Sequence, residues 1–564
     1  MLEPTIPLIV GSVALALVTV WLVRVAAVLN STRGQPGFVS LFPPLAQWPM
    51  LIVGQGHGPR VLVGRKTLWR DKADLFRKYN STILVVVSLF PPQATVLVGD
   101  GKVIHHINAS RKSFTKPQGV NAKVLWYFGH NLLTADGDEW RRHRRIAVSS
   151  FSEANTAKVW EASVKVADEW GAMLAEQEKE GKTIVKGVDD FFGPLFLRII
   201  GEAAFGLDFP LPSANTASNL AVSSGNGQTF SFAEANKIVL REGVLTAVLP
   251  PWAMRLSVPK ITRVRTGFEQ FEGHLKKILS DRREELQHEE GGEEKHDLLS
   301  AIVRANMREE GKNRLTDQEL LSDAYIFEVA GHETSSNALA GLFVLLALYP
   351  EHQEPIVDEV KAYLSSSPHR PFAYPEAYNS LSTTLATVQE GLRLVGPVAA
   401  TSKATTADVV LEARTMIGEK RQIVVPAGVA VKEGIIASHY SPLDWPDPFE
   451  FKPSRFLSKD WDSESFVPFS SGLRGCIGKN FAMAEMVVLL ALTLLRFRLE
   501  IPSHVAADWA CKPGETERER RDRILKPSWP FTMGPTGIDI AFVPRETAQS
   551  MTAEEMIKGK EKSA

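Results

Sequence analysis

The 564-residue sequence has only two cysteines, Cys476 and Cys511. A disulfide framework is therefore excluded, which fits a reducing cytosolic face, and each cysteine has to be judged by its neighbours. An excess of either charge is also missing: 64 lysines and arginines stand against 65 aspartates and glutamates. That balance gives no reason to expect nucleic acid as a partner and leaves electrostatic docking to local patches. No convincing dinucleotide fingerprint occurs, because Gly54-Gln55-Gly56-His57-Gly58 lies in a proline-bounded stretch without a strand-to-helix setting. No repeat of solenoid type is present. What the sequence does have is material for a core, with 44% hydrophobic and 23% charged residues, so a disordered chain is excluded too.

The run from Ile6 to Val23 carries no charge, and as a helix it spans roughly 27 Å at 1.5 Å per residue, close to a hydrocarbon core of about 30 Å. Glu3 precedes it while Arg24 and Arg33 follow, so the positive-inside rule leaves the bulk of the chain in the cytosol. A cleaved signal peptide is the rival reading, but the first residues hold no basic side chain and the apolar run is longer than usual for one. Residues 1–33 are therefore read as a single-pass anchor. The sequons at Asn30, Asn80 and Asn108 would matter only in a lumenal domain and are read as chance. Residues 34–59, rich in Pro and Gly, read as a linker, 60–545 as the main body and 546–564 as a polar tail.

Two β-rich runs, Thr82 to Leu89 and Ala94 to Val98, flank Pro91-Pro92 as a hairpin would. Helical patterns then dominate at 138–151, 155–179, 188–205, 233–249, 261–287, 317–348, 351–365, 380–394 and 478–497. Short β signals return at 409–412, 421–425 and 538–544. The expected fold class is mainly α with a small β-rich subdomain. Three polar segments, 211–228, 287–295 and 514–523, read as solvated loops.

The segment Phe469 to Gly478, FSSGLRGCIG, combines what a metal-binding thiolate needs. Cys476 offers the sulfur, and Gly478 with the helical pattern behind it puts that sulfur at a helix N-terminus, where unpaired N–H groups stabilise negative charge. Gly472 and Gly475 permit the turns of a loop lying close under a flat ligand. Arg474 offers a cation to an acidic group, and Phe469 can cover the sulfur. A lone cysteine is more often a small buried hydrophobe, and Cys511 is read as that or as a surface thiol. For Cys476 the pattern Phe-x-x-Gly-x-Arg-x-Cys-x-Gly decides, since average residue usage yields it by chance in fewer than about one chain in a thousand. This decapeptide resembles the haem-binding loop of the cytochrome P450 superfamily at every named position.

The resemblance extends over about residues 60–545. Glu390-Gly391-Leu392-Arg393 matches the family's Glu-x-x-Arg motif, whose ends share a helical face. Arg455, in Pro453-Ser454-Arg455-Phe456, completes a network with them in the family. Alone, such a pair is a surface salt bridge; beside the cysteine loop it reads as a buried triad costing several kcal/mol to break. Ala330-Gly331-His332-Glu333-Thr334 is similar to the oxygen-activating segment. There Thr334 and Glu333 are implied in delivering protons to dioxygen, Ala330 and Gly331 leave it room, and His332 is a bystander. Trp140 and Arg144, at i and i+4, resemble the pair that binds a haem propionate. Arg141, Arg142 and Arg145 are read as a docking patch for an acidic electron-transfer partner, against the plainer reading of a solvated basic face. Lys403 stands near where relatives often carry an arginine, whose bidentate contact lysine cannot reproduce.

If Thr334 faces the iron, helical spacing puts Asp323, Phe327 and Ala330 on its stripe. With Val398 as a second wall and 116–129 as a covering loop, this implies a lipophilic substrate of terpenoid, sterol or fatty-acyl type, Asp323 being a polar anchor. Segment 248–254 reads as a loop that dips into the bilayer interface. The resemblance implies a cytochrome P450 fold behind a transmembrane helix, and haem b on Cys476. It also implies monooxygenation driven by NADPH through a separate NADPH-cytochrome P450 reductase, with cytochrome b5 as a further donor, at the endoplasmic reticulum membrane. Two alternatives are a peroxide-rearranging relative, against which Glu333-Thr334 argues, and a non-catalytic haem-binding protein.

Overall fold

The computed structural model describes residues 5–44, 65–110, 112–117, 125, 127–207, 209, 211, 230–288, 297–366, 372–528 and 532–546. The distal part of the expected linker, most of the covering loop 116–129, the segments 211–228 and 287–295, and the tail 546–564 lie wholly or largely outside them. The chain divides into two compact units, residues 1–118, 399–448 and 462–475 forming one, and 119–398, 449–461 and 476–564 the other.

The first unit opens with helix α1 (Thr5–Ser31), which is long and apolar enough to cross a membrane. Trp21 donates its indole N–H to the Leu89 carbonyl at 2.9 Å and stacks on Phe90. The β-branched run Ile83–Leu89 pairs antiparallel with Pro92–Val98, as the alternation predicts. A six-stranded sheet grows from this hairpin in the order Gly37–Ser40, Ile83–Leu89, Pro92–Val98, Ala430–Glu433, Thr401–Thr405, Phe114–Thr115. Gly37–Ser40 lies inside the expected linker, so part of that segment is an edge strand. A Cβ on Gly37 would sit 1.8 Å from the Val85 carbonyl oxygen, so only glycine lets the two strands meet. Helix α2 (Gly101–Ala109) is capped by Asp100, which accepts from the Lys102 and Val103 N–H groups. The other Asp100 oxygen holds Arg414, whose guanidinium also forks onto Asp444.

In the second unit follow α3 (Gly137–Val148), α4 (Glu153–Glu176), α5 (Val188–Ile200), α6 (Phe232–Glu242), α7 (Pro259–Gln287), α8 (Leu298–Met307), α9 (Asp317–Leu348), α10 (Glu354–Ser366), α11 (Ser382–Val395), α12 (Lys479–Arg496) and α13 (Glu517–Ile524). The expected helix 188–205 is α5 continued by a π turn, and the expected helix 233–249 breaks at Gly243. Residues 514–523 are not a simple solvated loop. They contribute α13, which a Thr516–Glu519 capping box starts and whose Arg521 is buried. A three-stranded sheet, Phe497–Glu500, Ile540–Pro544 and Thr183–Val185, completes the unit.

Helix α9 is the core of this unit. From Leu320 to Leu348 its residues are buried except Ala330, Gly331, Thr334 and Asn337. Gly331 serves close packing rather than room for a small ligand, because a Cβ there would lie 2.4 Å from the Ile200 side chain of α5. In α11 both Glu390 and Arg393 are fully buried. Arg393 makes a two-pronged contact to Glu390 at 2.7 and 2.8 Å, Arg455 adds a third bond at 3.1 Å, and the Lys452 N–H a fourth at 2.8 Å. A carboxylate removed from this arrangement leaves two guanidinium groups buried without their counter-ion. Glu390→Ala is therefore expected to destabilise the protein by about 3–5 kcal/mol, read from thermal or denaturant unfolding; a loss below about 1 kcal/mol would show that the triad behaves like a surface pair.

Candidate active site

Cys476 stands just ahead of α12, whose N-cap is Gly478. The Gly478 N–H is directed at its sulfur, and Arg144 and Lys479 lie close enough to act on its charge. The thiol is solvent-accessible, yet protein surrounds it so closely that burial pushes its pKa up, against the opposing pull of those three groups. A Cβ on Gly478 would meet only the Phe151 ring, at 3.7 Å. Phe151 in turn packs against Phe327 of α9 and Phe481 of α12, with ring centroids at 5.7 and 5.0 Å. The three rings form an apolar wall at the head of α12.

Helix α3 brings Trp140 and Arg144 together on one half-buried face. Burial lowers the pKa of Arg144 and the Cys476 sulfur raises it, a second sign that the two side chains are neighbours. The expected docking patch is not a free basic surface. Arg141 pairs with Asp138, Arg142 with Glu319, and Arg145 with Glu309 at 3.0 Å. Asp323 also departs from expectation. It is buried, with one oxygen 2.7 Å from His143 Nδ1 and the other accepting the Leu132 N–H at 2.7 Å. Both oxygens are engaged within the protein, so Asp323 ties α9 to α3 and is not a substrate anchor.

The accessible residues Ala330, Thr334 and Asn337 fall at i, i+4 and i+7 and form one stripe. The Thr334 hydroxyl donates to the Ala330 carbonyl at 2.7 Å, which leaves its oxygen as an acceptor toward that stripe. Glu333 is buried and does not face solvent directly. One of its oxygens accepts from both the N–H and the hydroxyl of Thr532, each at 3.0 Å, while the Thr532 oxygen accepts from Asn337 Nδ2 at 2.7 Å. Gly534 permits this approach, since a Cβ there would collide with the Asn337 amide. Asn337 and Thr532 thus connect Glu333 to the stripe, a role sequence reasoning missed. Asn337, three residues past Thr334, carried a usable signal, whereas Thr532 carried none. His332 is more than a bystander in packing: it is buried against Glu328 and Asn236, and burial pushes its pKa down to about 4.

The remaining loop residues belong to the first unit. Phe469 and Arg474 are half-buried. Gly472 has φ +65° and would place a Cβ 2.8 Å from the Asn108 carbonyl, so the turn before Arg474 requires glycine. The approach to the loop is pinned by His439, whose Nε2 accepts from the Val467 N–H at 3.0 Å and whose ring stacks on Phe466. Lys403 is buried near Glu433, whose pKa burial raises and Lys403 lowers. Val398 is half-buried and Cys511 is exposed.

A thiol with a backbone N–H aimed at it, a guanidinium beside it and an apolar wall make a set that fits a haem bound through a thiolate axial ligand, with a cation for a propionate. Such a set within a mostly helical fold defines a haem-thiolate protein. The family model described as Cytochrome P450 matches residues 43–511. Cytochrome P450 monooxygenase 124 of Postia placenta is 32% identical over 86% of this chain and 90% of its own length. A cytochrome P450 monooxygenase of Arthrobotrys oligospora is 27% identical over 78% of this chain and 79% of its own, and human cytochrome P450 4Z1 is 27% identical over 68% and 73%. The chain belongs to the cytochrome P450 family and is a monooxygenase of that family. The family uses haem b with a cysteine thiolate and takes its electrons from NADPH through a reductase.

Helix α12 holds a second buried acid, Glu485, whose pKa burial pushes up to about 8 against the opposing influence of the nearby Ser335. A carboxyl with a folded pKa above its unfolded one binds its proton in the native state, so its contribution is fully present below the unfolded value of 4.5 and is lost as pH rises through about 8. Unfolding midpoints of the parent are therefore expected to drop between about pH 5 and pH 8 more steeply than those of Glu485→Gln; parallel profiles would show that this acid titrates normally.

Proposed function

We propose that Cys476 is the axial ligand of the haem iron and that the chain inserts one oxygen atom from dioxygen into a lipophilic substrate. The observation that carries this reading is the position of Cys476 at the head of α12, with Arg144 and the Gly478 N–H beside it. Bound haem b would supply dioxygen binding and its reductive cleavage. Trp140, Arg144 and Arg474 would hold its propionates, while Phe469 keeps water from the sulfur. Thr334 would orient a water or proton donor through its free acceptor oxygen, and Glu333, held in place by Thr532, would serve as the acid that exchanges protons with that water. Glu390, Arg393 and Arg455 support the fold and do not react.

Substrate contact is assigned to Phe327, Ala330 and Val398. Their apolar character, with Thr334 and Asn337 as the polar members of the α9 stripe, supports a terpenoid, sterol or fatty-acyl type. Electrons would come from a membrane NADPH-cytochrome P450 reductase, with cytochrome b5 as a further donor. Helix α1 would anchor the protein in the endoplasmic reticulum membrane with its catalytic part in the cytosol. Trp21 suits an interfacial position, and the exposed Trp252, Leu256 and Val258 supply a second apolar contact with lipid.

Replacing Cys476 by Ala is expected to abolish the thiolate-type spectrum of the reduced carbonyl adduct; retention of that spectrum would remove the ligand assignment. With Thr334→Ala, NADPH consumption should continue while product per NADPH falls roughly tenfold or more and peroxide release rises. Unchanged coupling would exclude Thr334 from proton delivery.

A further inference from the structure

On α3, Glu139 and His143 stand at i and i+4, and Glu319 in the first turn of α9 meets them. His143 is completely buried, but its Nε2 has no hydrogen-bond partner among the described residues and lies 3.9 Å from a Glu319 oxygen, beyond bonding reach. Its Nδ1 lies 2.7 Å from Asp323 Oδ2, and Asp323 is itself fixed by the Leu132 N–H. With its proton on Nδ1, the imidazole directs a lone pair from Nε2 at the two glutamates. A carboxylate that holds a histidine in this tautomer is the usual support of a metal-binding imidazole.

We propose that Glu139, His143 and Glu319 form a binding site for a divalent cation of the zinc class, separate from the haem. Their ligand atoms all lie within 4.8 Å of one another. Tetrahedral zinc with bonds near 2.0–2.2 Å needs donors roughly 3.5 Å apart, so side-chain movements of about 1 Å close the site. One imidazole nitrogen and two carboxylate oxygens suit zinc better than calcium or magnesium. The fourth position falls to water. The charges agree: Glu139 and Glu319 against Arg142 leave the cluster net negative. One Glu319 oxygen is spent on the Thr316 cap, and the other, which Arg142 also contacts, is the one the cation shares. Glu139 is 37% exposed, so the ion has a path from solvent. The competing arrangement is an imidazolium held between Asp323 and Glu319, which would bind no metal.

The test uses the full-length, haem-loaded protein in detergent, stripped with a chelator, equilibrated with micromolar zinc sulfate, desalted, and analysed for zinc against haem iron. The parent should retain one zinc per chain. His143→Asn and Glu139→Gln should each weaken retention at least about tenfold, while the carbonyl spectrum and unfolding midpoint report that the variants are folded. Glu139 is partly exposed, so its variant remains informative if the His143 variant fails to fold. Absence of zinc from the parent at micromolar free zinc, or equal retention by either folded variant, overturns the site.

Discussion

Whether the Cys476 sulfur can carry negative charge is the constraint on which the head of α12 turns. Burial alone pushes the Cys476 thiol toward its neutral form, and the Gly478 N–H, Arg144 and Lys479 each oppose that push without cancelling it. In the reading proposed above a bound metal cation would supply the missing charge, since a coordinating thiol is deprotonated outright. Each of the three supporting groups depends on a helix being held still. Helix α12 packs on α4, where Gly171 leaves room for the Arg496 guanidinium, which also binds the Asp168 carboxylate. Phe151 wedges the first turn of α12 against α9 through two ring contacts. The Glu390 triad fixes α11 and the turn Pro453–Phe456 by satisfying a buried carboxylate completely.

Helix α9 shows how a structural core can carry a reactive surface. Residues on nearly every side of it are buried, which makes it the least mobile scaffold available. Its accessible positions are few and small, or polar and already oriented. Thr334 is held by its own helix through the Ala330 carbonyl, and Asn337 by Thr532. Glu333 is held by the same threonine, so movement of the residue-532 segment would release acid and amide together. The placing of this acid beside the stripe is thereby coupled to a segment nearly two hundred residues away in sequence.

Features with a local signature were legible in the sequence. The helices α3, α4, α9 and α12 follow from a 3.6-residue apolar period and polar starts, and the cysteine loop from spacing that few other structures require. Features made by distant pairing were not. The strand Gly37–Ser40 sits in a proline-rich context and is defined by a parallel partner about 48 residues on. Helix α13 looked like a loop because charge density masked it, although Thr516 and Glu519 spelled a capping box. Asp323 lies at the right azimuth for the reactive stripe, eleven residues before Thr334. What the period could not tell is that α3 and the Leu132 backbone cover that end of the helix. The pairing of Glu333 with Thr532 had no local trace at all.

The arginine-rich start of α3 shows why composition underdetermines electrostatics. A run of Trp140-Arg141-Arg142-His143-Arg144-Arg145 reads as one basic block, but at about 100° per residue its members leave the helix in different directions. Arg144 lies beside the Cys476 sulfur, His143 beside Asp323, and the other three pair with Asp138, Glu319 and Glu309. An ion pair already formed within the chain has less potential to offer an incoming acidic protein, so these arginines contribute less to steering a redox partner than their number implies. Arg142 and Arg145 tie the start of α9 and the residues just after α8 to α3, while Arg141 pairs within α3 itself.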